Sequence, residues 1–239
     1  MAPQPGTVRK GKTVRNKIVS SFEEAVADIP DGATIAVFHW GLGGGTPQNL
    51  IRAVHDKGVK DLTVISHNFI FARLGGYFFS LADVCTPLLL ADRVKKVHTA
   101  FQGMSYYGKR SLLEERIAAG EVEADIMSHG TLAERIRAGG SGLGGFYTRV
   151  GVNTVVEKGK EKRVIGGKEY ILEMPLRADF GLVRAHKADK RGNLVYRGSV
   201  RGCNPVIAMA SEVTIAEVDD IVEVKIPDKR DGEHHQGHQ

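Results

Sequence analysis

The chain is predicted to be an α/β protein, an open and mostly parallel sheet with helices on both faces and one β-hairpin excursion. Three observations predict this. Apolar runs too short for helices recur along the chain, capped amphipathic stretches separate them, and the first such run passes through a glycine-rich turn directly into a helix. Strand, tight turn, helix and strand within about thirty residues is a βαβ unit, whose strands lie parallel with a right-handed crossover.

Ser21 and Glu24 have capping-box spacing ahead of a short helix, and Pro30-Asp31-Gly32 forms a turn. Residues 34–39 are a mostly apolar run that fits a strand buried on both faces. After the loop Gly41-Leu42-Gly43-Gly44-Gly45, Thr46 can cap a helix with Pro47 at its first position, Leu50, Ile51 and Val54 on one face and Gly58 as its stop. Residues 62–66 form the next strand. Residues 69–93 have no clean period, yet Phe69, Phe71, Tyr77, Phe78 and Phe79 are too dense for a solvated loop.

The alternation continues with a strand over 94–99, a helix capped by Ser111 with Glu114 three residues on, and a strand over 124–127. Thr131 and Glu134 have the spacing of a third capping box. Their helix carries apolar Leu132 and Ile136, with Arg135 and Arg137 expected to be exposed, and Gly139-Gly140 ends it. Residues 155–176 resemble a hairpin turning at Gly166-Gly167. Further strands are expected near 180–186, 194–197 and 213–218. Residues 16–226 form one domain, between a basic tail over 1–15 and a His-rich tail over 227–239.

Composition removes several function classes. The net charge is +5, but the basic residues are spread over helices and loops, so nucleic-acid binding is disfavoured. The two cysteines, Cys85 and Cys203, have no neighbour at metal or redox spacing, which argues against a disulfide framework and fits a reduced cytoplasm. No apolar stretch approaches membrane-spanning length and no signal-peptide h-region follows the basic start, so a cytoplasmic protein that is neither exported nor membrane-bound is expected. There is no Gly-x-Ser-x-Gly elbow, and neither cysteine has an evident base.

Four places remain where chemistry can sit. The loop with Gly43, Gly44 and Gly45 lies between strand and helix, where backbone N–H groups can receive an anion. Its spacing matches neither the P-loop nor the dinucleotide fingerprint. A second glycine cluster, from Gly139 to Gly145, implies that a backbone or a ligand comes close there. His67-Asn68 and His129-Gly130 each follow a strand at its C-terminal end, the edge where open α/β sheets collect ligands, and imidazole can donate to a carboxylate or exchange a proton. Zinc is a poor explanation for these histidines, because no Cys or acidic partner stands at ligand spacing.

Taken in order, three segments resemble one family. They are Asp31 to Leu50, Gly130 to Gly151, and Leu176 to Asp189 followed by Gly192 to Tyr196 and Asn204-Pro205. Together they are similar to the first subunit of family I CoA-transferases of the 3-oxoacid type. The resemblance implies a CoA-transferase fold related to sugar-phosphate isomerase folds, and two similar subunits, as αβ or α2β2, around one active site. It implies that coenzyme A is a substrate and not a resident cofactor, that the other substrates are an acyl-CoA and a carboxylic acid, and that the nucleophilic glutamate lies on the second subunit in a Glu-x-Gly motif.

By this resemblance the present chain supplies substrate-binding residues and no catalytic nucleophile. Glu157-Lys158-Gly159 has the letters of that motif but falls in the expected hairpin. His67 stands where the family has the first Asn of an Asn-Asn pair, Ser128-His129-Gly130 stands for Pro-Gln-Gly, and Arg149 replaces a Pro. Alternatives are a CoA-ester hydrolase or decarboxylase on the same fold, or a non-catalytic module that uses the glycine loop as an anion cradle.

Overall fold

The computed structural model describes residues 16–37, 45–68, 92–102 and 110–223. The tails, the loop residues Gly43 and Gly44, Cys85 and the aromatic stretch lie outside these residues. The described strands are β1 (Thr34–Val37), β2 (Leu62–Asn68), β3 (Val94–Phe101), β4 (Glu123–Ile126), β5 (Phe146–Thr148), β6 (Lys162–Ile165), β7 (Lys168–Glu173), β8 (Ala178–Asp189), β9 (Leu194–Val195) and β10 (Ser211–Val222). The α-helices are α1 (Phe22–Ala25), α2 (Gln48–Lys57), α3 (Leu112–Ala118), α4 (His129–Gly140) and α5 (Asn204–Ala210).

The main sheet has the order β10-β8-β1-β2-β3-β4, all parallel, with β9 pairing antiparallel to β8. From β1 the chain steps outward through β2, β3 and β4, then returns to β8 on the other side of β1 and steps outward again to β10. The direction reverses between β1 and β8, so a crevice at their C-terminal ends is the expected ligand position in such a sheet.

Period-two alternation divides the core. Ile35, Val37, Val64, Phe180 and Leu182 pack on one face with α1, α2 and α3, whereas Ala36, Ile65 and Val183 face Leu132 and Ile136 of α4 and Ile207 of α5. Each fully buried aliphatic side chain contributes about 1.5–3 kcal/mol. The two apolar faces explain why the strands read as continuous apolar runs.

Between β4 and β8 the chain makes a separate antiparallel sheet, β5-β7-β6. Its hairpin turns at Gly166 and Gly167, both at positive φ (56° and 74°) as a type I′ turn requires. The hairpin is shorter than the expected 155–176, because Val155–Glu157 forms a 3₁₀ turn capped by Thr154.

Several local expectations need correction. The cap of α4 is Ser128 and not Thr131: its Oγ accepts from the Thr131 N–H at 3.3 Å, and the helix has begun at His129. Helix α2 begins at Gln48 after Pro47, without a side-chain cap bond to its N-cap residue, and ends at Gly58 in the left-handed conformation as expected. Ser111 and Glu114 do form the full reciprocal box of α3. At α1 the Ser21 Oγ accepts from Glu24 N–H, but the Glu24 carboxylate turns to Ser20 instead. Arg135, expected to be exposed, is buried.

Candidate functional site

Strand β2 ends in His67 and Asn68, and α4 begins with His129 and Gly130, on either side of β3 in the sheet order. The register brings the three strands to the same level: Ser66 pairs with Thr99 and Thr99 with Ile126. Thr99 Oγ1 donates to the His67 carbonyl at 3.2 Å, tying the end of β2 to β3. The rings of His67 and His129 stack with centroids 3.9 Å apart and planes 24° from parallel. Two residues far apart in the sequence, each singled out for its place after a strand, therefore form one cluster at the C-terminal edge.

His67 is buried while His129 and Gly130 are exposed, so the pair is anchored on one side and open on the other. Asn68 lies beside it on β2, in register with Phe101. No atom of the described residues lies within 4 Å of where a Gly130 Cβ would stand. The arrangement presents imidazole nitrogens, which can donate to or accept from a carboxylate or carbonyl group.

Below this edge runs an ionic network that sequence reasoning missed. His98 Nδ1 lies 3.0 Å from Asp125 Oδ2, and Arg135 Nη1 donates to the same oxygen at 2.9 Å. Arg135 Nε donates to the Met174 carbonyl at 2.7 Å and stands 3.9 Å from Glu173, which also receives Lys160 at 2.6 Å. The hydrogen bond from His98, with the hydrogen bond and charge of Arg135, holds the Asp125 carboxyl well below the usual carboxylate range, against the opposing effect of burial. The network ties β3, β4 and α4 to the small sheet. A signal was available: Arg135 falls on the stripe Thr131, Arg135, Ala138, whose i, i+4, i+7 spacing runs along the buried face with Leu132, Ile136 and Gly139.

The glycine loop behaves differently. Of its three candidate residues, Gly43 and Gly44 lie outside the described residues. Gly45 has φ of +83°, and a Cβ there would sit 2.8 Å from both Asn204 Nδ2 and the Val200 carbonyl oxygen. Buried Asn204 accounts for this crowding: its Nδ2 donates to the carbonyls of Gly45 (3.0 Å) and Val200 (2.8 Å), while its Oδ1 accepts from Arg184 N–H (3.2 Å). Gly45 is thus packed against Asn204 and the Val200 carbonyl.

At the N-terminus of α2, the Glu217 carboxylate accepts from the N–H groups of Asn49 (2.9 Å) and Leu50 (3.3 Å) and from Asn49 Nδ2 (3.0 Å). Arg184 stands 3.5 Å from it. The fold supplies its own anion to these donors. A cavity of about 640 Å³ beside Glu217, bordered by Ile18, Phe22, Leu50 and Ile221, includes neither imidazole in its lining.

Close approach explains Gly139, Gly140 and Gly145 of the second glycine cluster, whereas Gly142 and Gly144 meet no described atom within 4 Å of a built Cβ. A Cβ on Gly139 would fall 2.0 Å from the Leu176 carbonyl oxygen, and one on Gly140 would fall 2.8 Å from Met209 Cβ. These glycines let α4 pack against α5 and the start of β8.

With this geometry in hand, residues 19–234 match the Coenzyme A transferase family. The chain belongs to that family. It is 43% identical over 207 residues to the first subunit of the probable succinyl-CoA:3-ketoacid coenzyme A transferase of Bacillus subtilis, covering 87% of this chain and 81% of that protein. It is 42% identical over 211 residues to the first subunit of the 3-oxoadipate CoA-transferase of Pseudomonas putida, covering 87% and 85%.

Among solved structures, the acyl-CoA transferase apoenzyme of Escherichia coli O157:H7 superposes with a TM-score of 0.72 at 21% identity, over 95% of this chain and 46% of that one. At that identity the match speaks to the fold alone. A variant of the decarboxylase AibA/AibB gives 0.69 at 25% identity, over 87% and 76%. The CoA-transferase fold expected from the sequence is therefore the one found, with the imidazole pair at the C-terminal edge of its sheet.

Proposed function

We propose that this CoA-transferase chain is the first subunit of a heteromeric acyl-CoA:carboxylate CoA-transferase and forms the acid-binding half of the active site. The observation that carries the reading is the likeness, over most of the chain, to the first subunits of several such enzymes, at 40–44% identity. The second subunit supplies the nucleophilic glutamate, and coenzyme A passes through as substrate. The free thiol of Cys203 fits work in the reducing cytoplasm, and no helix among the described residues is long and apolar enough to cross a membrane.

The reaction proceeds by exchange. The partner's glutamate attacks the thioester carbonyl of the acyl-CoA and the CoA thiolate leaves, forming an acyl-glutamyl anhydride. That thiolate attacks the glutamyl carbonyl, which releases the first acid and leaves a glutamyl-CoA thioester. The incoming carboxylate attacks this thioester, expelling the thiolate and forming a new anhydride. The thiolate then attacks the acyl carbonyl, giving the new acyl-CoA and free glutamate. Every step places negative charge on oxygen, so donors held at the strand edge lower the barrier.

His67, Asn68, His129 and Gly130 are the residues we assign to the acid. His67 anchors the pair against β3 while His129 presents an exposed ring, which gives the pocket a rigid wall with polar tips. Gly43, Gly44 and Gly45 are assigned as the glycine loop whose N–H groups can receive an anion or oxyanion. For Gly45 the support is the fixed backbone that Asn204 imposes.

The test is co-purification with the second subunit, followed by an acyl-exchange assay over a panel of acids. The complex is expected to exchange and this chain alone is not; hydroxylamine or borohydride is expected to trap the glutamyl intermediate on the partner. Release of carbon dioxide or net thioester hydrolysis without exchange would overturn the reading. Replacing His67→Asn and His129→Gln together is expected to shift relative kcat/KM among acids by about tenfold, equivalent to about 1.4 kcal/mol. An unchanged ranking of acids rejects the assignment of the imidazoles.

A further inference from the structure

We propose that Asn204 is a positioning residue for CoA transfer: it holds Gly45, the last glycine of the loop after β1, in the backbone conformation from which that loop meets a negatively charged oxygen. The assignment rests on the transferase reading above, in which the loop receives an anion or oxyanion. Asn204 is 2% exposed, and its amide meets three backbone groups from three segments. Its Nδ2 donates to the carbonyls of Gly45 (3.0 Å) and Val200 (2.8 Å), and its Oδ1 accepts from the N–H of Arg184 (3.2 Å). Two acceptors on one side and a donor on the other leave the amide one orientation.

The place of these bonds in the sheet gives them their role. Arg184 lies two residues beyond Leu182, which pairs with Val37, the last residue of β1. Asn204 therefore takes hold of β8 just past that pairing and reaches from it to the chain that has left β1. This is the switch point, where an open α/β sheet receives ligands. Gly45 has φ of +83°, a left-handed conformation that glycine adopts at no steric cost. Holding its carbonyl while φ keeps that value fixes the direction of the Gly45 N–H.

A second tie leaves the task to Asn204. The N–H groups of Asn49 and Leu50 are taken by the Glu217 carboxylate at 2.9 and 3.3 Å. The first turn of α2 already has its anion, so a substrate oxygen must be met by the loop ahead of it. Glu217 also stands 3.5 Å from Arg184, the residue whose N–H Asn204 holds. The turn from β1 into α2 is thus pinned at Gly45 and at Asn49 by two residues that both engage Arg184. An oxyanion develops only in the transition state, so backbone donors set in place by Asn204 act on kcat and not on the binding of acid or acyl-CoA.

Asn204→Asp tests this, because it is close in size, keeps the acceptor for Arg184, and turns the donor into an acceptor that faces two carbonyl oxygens. In the complex with the second subunit, kcat and kcat/KM should fall together by at least about tenfold, with KM for the acid and for the acyl-CoA within about twofold of wild type. Asn204→Ser, neutral and too short to span the three groups, should show the same split, so the outcome does not hang on the aspartate variant folding. Gly139→Ala, which strains the packing of α4 against Leu176, supplies the comparison for lost stability alone. Assayed well below the unfolding temperature of each complex, it should keep kcat within about twofold. A kcat within about twofold of wild type for both Asn204 variants, a loss carried by KM, or an equal fall in kcat for Gly139→Ala would overturn the proposal. Failure of the transferase reading has a separate signature, the absence of acyl exchange in the wild-type complex.

Discussion

The two edges of the main sheet use glycine and polar residues in opposite ways. At the C-terminal edge, Gly130 meets no described atom where a Cβ would stand, beside an exposed imidazole, and the groups that converge are side chains able to meet a substrate. At the N-terminal edge, Gly139 and Gly140 are forced by backbone less than 3 Å from where a Cβ would stand, and what converges is protein against protein. The same residue type marks an unfilled position at one edge and a tight contact at the other. Arg135, between them on α4, secures the packed end so that the open end keeps its geometry.

The largest effect should come from breaking that tie. Arg135→Met leaves Asp125 and Glu173 without their shared cation, and Glu173 is only 1% exposed. Removing one partner of a buried ion pair costs about 3–5 kcal/mol, and the partners that remain, Lys160 on Glu173 and His98 on Asp125, put this loss at or below the lower end. Urea unfolding should show a loss of that size, and a much smaller loss for Arg135→Lys would reassign the role to positive charge alone. Gly139→Ala comes next. Its Cβ would overlap the Leu176 carbonyl, and overpacking of this kind costs about 1–3 kcal/mol or more because a helix must move as a unit.

A third prediction uses pH. The folded state holds Asp125 in its charged form more strongly than the unfolded chain does. The stability this contributes is complete above the unfolded carboxyl's pKa of about 3.9, and is lost as pH falls below it towards the depressed folded value. The Asp125→Asn variant should therefore be less stable than wild type at pH 7 yet lose less stability as the solution is taken from about pH 5 to about pH 3. Parallel acid limbs for the two proteins would place the acid sensitivity elsewhere.

Much of this was legible in the sequence because it rests on local pattern. The βαβ opening, the Ser111 box, the Gly166-Gly167 turn and the two histidines after strands each follow from a few neighbouring residues. The stacking of His67 on His129 was not legible, since it depends on strand order and register. Arg135 looks exposed from its charge alone, whereas its place on the buried stripe of α4 puts it in the interior. Glu217 was invisible for a related reason: it caps α2 from a strand 168 residues away. Long-range pairs that satisfy buried charge leave no periodic trace. The glycine cluster after α4 implies the close approach of a backbone or a ligand, and only the fold shows that at Gly139, Gly140 and Gly145 it is protein that approaches.

The smallest predicted effect sharpens the comparison from the open side. Gly130→Ala places a methyl where no atom of the described residues lies within 4 Å, in the first turn of a helix, at a residue that is not among those with positive φ. Ala is preferred over Gly in a helix, and it also narrows the unfolded ensemble, so the substitution should stabilise the chain by about 0.4–1 kcal/mol. Its activity should respond in the other direction if the space beside His129 receives the acid: KM for bulkier acids should rise while kcat for the smallest changes little. Gly139→Ala should show the reverse pattern, a loss of stability with the order of acid preference intact. The two alanines thus separate a space kept for a ligand from a space already taken by the fold. Equal effects of both on acid preference would mean that α4 transmits strain along its length, and that the two edges are not independent.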